Sequence, residues 1–281
     1  MKIIDFRLRP PFGSYLDTIM YANIERTAAS ARKKGMEVAQ SARERSCDLL
    51  VREMDEAGVT VGVAAGRTGG VLGTMSNEDL LELTAKYPGR FVGLAGIDPV
   101  NRVNATKQID QAMQDGFKAV VLEPGLCHNP MHIDDARVYP LYAHCEDRDI
   151  PVLLMAGGNA GPDCTYSSPE HIDRVARDFP KLTLISGHGN WPWVSQIIHV
   201  CYRRPNVLLS PDTYMFGMPG AQDFVDAING FMSERFLFAT AYPFVSLKSA
   251  VDRFLQLGVK EEYLQNVMYA NAARVLRLAG A

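Results

Sequence analysis

The sequence has no C-x-x-C pair, no lysine- and arginine-rich run longer than three residues, no G-x-G-x-x-G turn after its first apolar segment and no long uninterrupted apolar stretch, and each absence removes a class of function. Its five cysteines, Cys47, Cys127, Cys145, Cys164 and Cys201, are odd in number and scattered. That argues against a disulfide framework and against a zinc ribbon, so free, mostly buried thiols are expected. A net charge of −3 and a pI near 6.1 provide no general attraction to a phosphate backbone, and nucleic acid is not expected as a partner. No apolar run reaches the roughly 18 residues that cross a bilayer, so no membrane association is expected. The first residues also lack the basic, apolar and small-residue regions of a secretory leader, and a cytoplasmic location is expected.

What is present is alternation. Short apolar runs at 2–6, 59–64, 91–95, 119–122, 151–155, 182–186, 207–209 and 236–239 read as eight strands. Amphipathic helical segments lie at 48–57, 77–87, 105–114, 138–148, 169–178, 193–202, 222–231 and 247–257, and two more close the chain at 261–268 and 271–278. Strands that alternate with helices pair in parallel, and eight such units close most naturally into a (β/α)8 TIM barrel. An open doubly wound sheet is the alternative, disfavoured by the missing glycine fingerprint. With 281 residues and 47% hydrophobic content, one domain over 1–281 accounts for the whole chain. Long loops follow strand one, at 10–40, and strand four, at 127–138, on the face where barrel active sites lie. The glycines of 156–162 suit a close backbone approach on that same face, and the closing helices are expected on the barrel exterior.

Several charged and aromatic residues fall at strand ends. Arg7 and Arg9 alternate along the first strand, so both should project to one side at the mouth, where guanidinium forks grip carboxylates. The competing arrangement pairs them with internal acids such as Glu123 or Asp5 and leaves the barrel filled. Glu123, after strand four, suits a general base or a counter-ion to the arginines. His188, between two glycines at the end of strand six, suits proton transfer near neutrality, or else a purely structural hydrogen bond. Asp212 and Tyr214 after strand seven, Tyr242 after strand eight and Trp191 beside His188 are candidates to orient the histidine or to contact a ligand.

Six pieces, taken in order, resemble a known family. They are Ile4-Asp5, Gly116-Phe117-Lys118-Ala119, Ile150-Pro151-Val152-Leu153-Leu154, Ile185-Ser186-Gly187-His188-Gly189, Phe236 through Pro243, and Asn271-Ala272-Ala273-Arg274. Together they resemble the amidohydrolase-related branch of the metal-dependent hydrolase superfamily, which includes small lactone hydrolases and aromatic-acid decarboxylases. The resemblance implies a barrel whose metal is held by Asp-x-His-x-His in strand one and by histidines at strands five and six, with an Asp at strand eight. Here those positions are Arg7, Arg9, Met155, His188 and Ala241, so only His188 keeps the pattern. A guanidinium has no acceptor and stays protonated, so Arg7 and Arg9 repel a cation instead of binding one. No cofactor is expected, unless a rebuilt set drawn from Glu123, Cys127, His128, His188 and Asp212 holds a divalent metal such as zinc.

The expected activity is hydrolysis of a small carboxylated substrate such as a lactone. Arg7 and Arg9 hold its carboxylate, and His188 activates water with help from Glu123 or Asp212. Two alternatives stand beside it: non-oxidative decarboxylation of a small acid, and a catalytically silent barrel that binds an acidic metabolite. The expected partner is a small anion, and a homodimer is compatible with the apolar closing helices.

Overall fold

The computed structural model describes residues 1–70 and 72–278. Seven parallel strands follow one another around a curled sheet: β1 (Ile3–Leu8), β2 (Val59–Ala65), β3 (Phe91–Gly96), β4 (Val120–Leu122), β5 (Val152–Met155), β6 (Leu184–Gly187) and β7 (Val207–Ser210). Each pairs with the next in the chain, as right-handed crossovers through outer helices require.

The eighth expected strand, 236–239, closes the ring with a thin ladder. Leu237 N–H donates to Leu209 O at 2.8 Å, and Phe6 N–H donates to Phe238 O at 2.9 Å. The Phe238 N–H leaves the ladder and donates to Val267 O at 3.1 Å, so regular pairing stops there.

Two apolar layers follow from strand periodicity. Ile4, Phe6, Val63, Leu94, Val121, Leu153, Ile185, Leu208 and Leu237 fill the barrel, while the alternate residues meet the helices outside. Ala272, Ala273 and Leu276 join the inner layer. The last helix, Asn271–Val275, therefore packs its alanines against the inner layer of the barrel instead of on its exterior.

The long loop after β1 folds into short helical pieces, Gly13–Asp17, Ile19–Ala22 and Ile24–Arg32, that lie across the mouth. After β2, a two-residue antiparallel pair, Arg67–Thr68 with Thr74–Met75, adds a small flap. The expected helices at 222–231 and 261–268 each begin as α-helix and widen into π turns, Ile228–Met232 and Asn266–Ala270. Among the described residues, no helix is long and apolar enough to cross a membrane.

Candidate active site

β1 contains the device that builds the site. Its register against β2 slips between Asp5 and Leu8, which pair with Gly62 and Ala64, so three steps on one strand match two on the other. Such a bulge re-aims side chains. Ile4 and Phe6 face the barrel interior, yet beyond the slip Leu8 packs outward and Arg7 and Arg9 turn to the mouth. The Asp5 carboxylate accepts the Arg7 N–H at 3.0 Å, satisfying a donor beside the irregularity. It also accepts from Thr240, at 3.0 Å through the backbone N–H and 2.6 Å through the hydroxyl, which ties the closing segment to β1.

At the C-terminal ends of the strands lies a cavity of about 400 Å³, lined by Arg9, Arg67, Glu123, His188, Trp191 and Tyr214 among others. Arg7 sits deeper, below Arg9, in a small recess that continues it. Both arginines are buried. Arg9 donates to the carbonyls of Ala241 and Tyr242 at 3.2 and 3.4 Å, and its guanidinium lies 5.5 Å from the Phe244 ring centre. Among the described residues the Arg7 side chain has the Met155 thioether as its polar contact, and its Nε has no partner. Among the described residues neither arginine forms a direct ion pair, although the Asp212 charge acts on both. Burial lowers the pKa of both; that of Arg9 is pushed down to about 9, with the neighbouring Arg7 and Arg67 charges adding to the effect.

Glu123 is not available to them. Arg67 grips it with two parallel bonds, Nε to Oε2 at 2.7 Å and a terminal nitrogen to Oε1 at 2.8 Å. Burial raises the Glu123 pKa, but the Arg67 charge and its hydrogen bonds outweigh that and hold the carboxyl below its ordinary range. Glu123 is therefore an anion with both oxygens occupied. Its direct ion-pair partner is thus Arg67 and not Arg7 or Arg9, although the Arg7 charge also helps to keep it ionised. Arg67 itself was not expected. The one cue for it is a charged residue directly after Gly66 at the end of β2, where a Cβ on the glycine would come within 2.4 Å of Gly96 N.

His188 and Asp212 are brought together. Nδ1 and Oδ2 lie 2.7 Å apart, a close polar contact in which neither atom completes an aligned hydrogen bond. Asp212 Oδ1 accepts from Thr213 N–H at 2.5 Å. Burial and the Arg7 charge hold the histidine below its usual pKa against the pull of Asp212, which favours the neutral imidazole, the form that can accept a proton. Burial raises Asp212, but His188 and the arginines outweigh it and keep the carboxyl ionised. Three residues at strand ends, His188, Asp212 and Ala241, take positive φ values of 67°, 48° and 60°. Such backbone strain in non-glycine residues gathers at functional sites.

Trp191 stacks on Tyr214 with ring centres 5.0 Å apart and planes at 15°, and Tyr214 meets His188 edge-on at 5.7 Å. The expected close approach in the glycine loop is met. A Cβ at Gly158 would fall 1.9 Å from the Tyr214 hydroxyl, and one at Gly157 would fall 2.8 Å from the His188 Cβ. Tyr242 does not reach the cavity, correcting its expected ligand contact. It is fully buried, and its hydroxyl pairs with Ser41 Oγ at 2.7 Å, outside the barrel mouth.

The donor chemistry does not fit the divalent metal that the resemblance implies. Two of its positions carry guanidiniums, one a thioether and one a methyl group, leaving His188 alone. The rebuilt set is not assembled either. Among the described residues no group of three or more His, Cys, Asp or Glu could hold an ion, and Cys127 is turned to the Glu123 carbonyl at 3.7 Å.

Comparison with known proteins agrees with this architecture. The model of the family described as amidohydrolase matches residues 20–278. A γ-resorcylate decarboxylase from Polaromonas sp. is 21% identical over 284 residues, which cover 82% of this chain and 87% of the relative. Among solved structures, an uncharacterized TIM-barrel protein from Bordetella bronchiseptica is 48% identical and superposes over the whole of both chains with a TM-score of 0.96. A 2,6-dihydroxybenzoate decarboxylase from Rhizobium superposes over the same extent with a TM-score of 0.75 at 16% identity, a likeness of fold.

Proposed function

The chain belongs to the amidohydrolase family, and on that premise we propose that it hydrolyses a small carboxylated substrate, such as a lactone, without the metal centre its resemblance implies. Arg7 carries this reading: a buried guanidinium with an unpartnered Nε, a thioether as its side-chain contact and no carboxylate paired to it. A buried unpaired cation costs several kcal/mol. A ligand carboxylate held between Arg7 and Arg9 offsets that cost and satisfies the vacant donor.

Charge favours hydrolysis over decarboxylation. When a carboxylate leaves as CO2 its charge moves into the rest of the molecule, so guanidiniums fixed on it stabilise the ground state more than the transition state. In hydrolysis the carboxylate is a handle that keeps its charge throughout. His188 accepts a proton from water as the water oxygen bonds to the acyl carbon, and Asp212 stabilises the imidazolium. The positive mouth favours the resulting oxyanion. As the acyl C–O bond breaks, the leaving oxygen takes the proton back from His188.

Decarboxylation is the second reading, favoured by the γ-resorcylate decarboxylase among the relatives. In that case protonated His188 delivers its proton to the carbon that loses CO2.

Carboxylated lactones and hydroxybenzoates, assayed in parallel for acid release in a pH-stat and for CO2, separate the readings. Acid release without CO2, abolished in His188→Ala, is the expected result. CO2 release transfers the assignment to the second reading, and tight binding with neither product leaves a silent binding barrel. Elemental analysis of protein purified without chelators completes the test: near-stoichiometric zinc or manganese, lost in His188→Ala, overturns the metal-free reading.

A further inference from the structure

The cavity holds more positive charge than one carboxylate needs. Arg9, Arg67, Lys33 and Lys34 line it, and among the described lining residues Glu123 is the one carboxylate, already held by Arg67. Asp212 sits behind His188, engaged with the imidazole and with Thr213. Once a ligand carboxylate engages Arg7 and Arg9 at depth, the two lysines remain at the rim without a carboxylate partner among the described residues.

Lys34 is the better placed of the pair. It is half-buried where Lys33 is exposed. Its ammonium donates to Ser30 Oγ at 3.2 Å and to Ser30 O at 3.4 Å, and among the described residues it pairs with no carboxylate. Its own carbonyl accepts from Arg253 at 2.5 Å, which fastens this turn of the β1 loop to the outer helix Leu247–Leu255. The ammonium is therefore held in position, partly desolvated and unneutralised. Such an arrangement is stabilised by an anion.

Building on the assignment of Arg7 and Arg9 to a carboxylate, we propose that Lys34, reinforced by Lys33, is a specificity-determining residue that reads a second anionic group at the cavity rim, so that the substrate is a small dicarboxylate. The deep arginines take one carboxylate and Trp191 and Tyr214 flank the body of the molecule. The outer carboxylate meets the lysines, and the bond to be cut lies between the two, beside His188.

Isothermal titration of the full chain with butyrate, succinate, glutarate and adipate tests this. The best-matched dicarboxylate binds about tenfold more tightly than butyrate, the gain expected of one further charge-assisted contact. In Lys34→Met, which keeps the apolar stem, that advantage falls to about twofold or less while butyrate affinity is unchanged. The wild-type comparison stands even if the variant folds poorly. Equal affinity for butyrate and every dicarboxylate overturns the second anion subsite but leaves the arginine assignment standing. No binding of any carboxylate overturns the arginine assignment, and the rim subsite with it.

Discussion

Arg67 holds both carboxylate oxygens of Glu123, at 2.7 and 2.8 Å, in a pair almost closed off from solvent. The pairing engages the acid that lines the same cavity, so that Glu123 forms its ion pair with Arg67 rather than with Arg7 or Arg9. Removing Arg67 strands a buried anion. Arg67→Met should therefore lower unfolding free energy by about 3–5 kcal/mol, whereas Arg67→Met with Glu123→Leu should regain most of the loss. Chemical denaturation of the three proteins checks it, and a neutral single substitution contradicts the buried-pair description.

His188 and Asp212 predict a kinetic pattern once a substrate is in hand. Asp212→Asn should lower kcat by about 10²- to 10⁴-fold with little change in KM, because the carboxylate acts on the imidazole rather than on the ligand. The pH profile adds a readout with a defined sign. Neutral His188 is the active base and its pKa is already lowered, so the acid limb of kcat/KM should lie below the value for a free histidine. The Asp212 charge opposes that lowering, so its removal should move the limb to lower pH still. A limb that moves upward sinks the assignment.

How far the sequence reveals this molecule depends on the scale of the feature. Apolar runs bounded by turns placed the seven strands of the sheet, because each must be apolar on both faces under a cover of helices, whereas the eighth expected strand, 236–239, forms only a bridge and a few backbone bonds. Alternation correctly put Arg7 and Arg9 on one side of β1. It gave no sign of the slip at Asp5–Leu8 that turns that side from Leu8's helix-facing layer toward the mouth, since the slip depends on pairing with β2. His188 and Asp212 were legible as separate candidates, each at a strand end. Their contact, and the Arg67–Glu123 pair, join residues 24 and 56 positions apart in the chain, and local pattern gives no register between loops. Tyr242 misled for the opposite reason. It lies three residues past the expected strand end at 239, but Ala241 at φ 60° turns the chain and sends the ring outward to Ser41.

Asp5 makes stability depend on pH. Burial pushes its pKa up from 3.8 to about 7, against the lowering effect of its bonds to Thr240 and Arg7. Between those values the folded protein keeps a proton that the unfolded chain releases, so stability falls as pH rises through that window and levels off above it. The span bounds the loss at about 4 kcal/mol. Asp5→Asn keeps a side-chain oxygen for the two backbone donors and removes the titration. Its melting temperature relative to wild type should therefore climb from about pH 4 to pH 7, and parallel curves in differential scanning calorimetry would falsify the linkage.

Gly158 and Tyr214 are coupled through space. The glycine adopts φ 61°, and a Cβ there would lie 1.9 Å from the Tyr214 hydroxyl and 3.0 Å from its ring carbon. Gly158→Ala should therefore push Tyr214 off its stack with Trp191, destabilise the fold by about 1–3 kcal/mol and weaken carboxylate binding. Tyr214→Phe removes the atom in the closest clash but leaves the ring edge tight. The double variant should then be more stable than the sum of the single changes by about 0.5–2 kcal/mol, with the backbone strain unrelieved. A double-mutant cycle by thermal denaturation measures this coupling. Strict additivity means that the hydroxyl is free to move aside, so the glycine serves its left-handed backbone alone and leaves the aromatic wall unaffected.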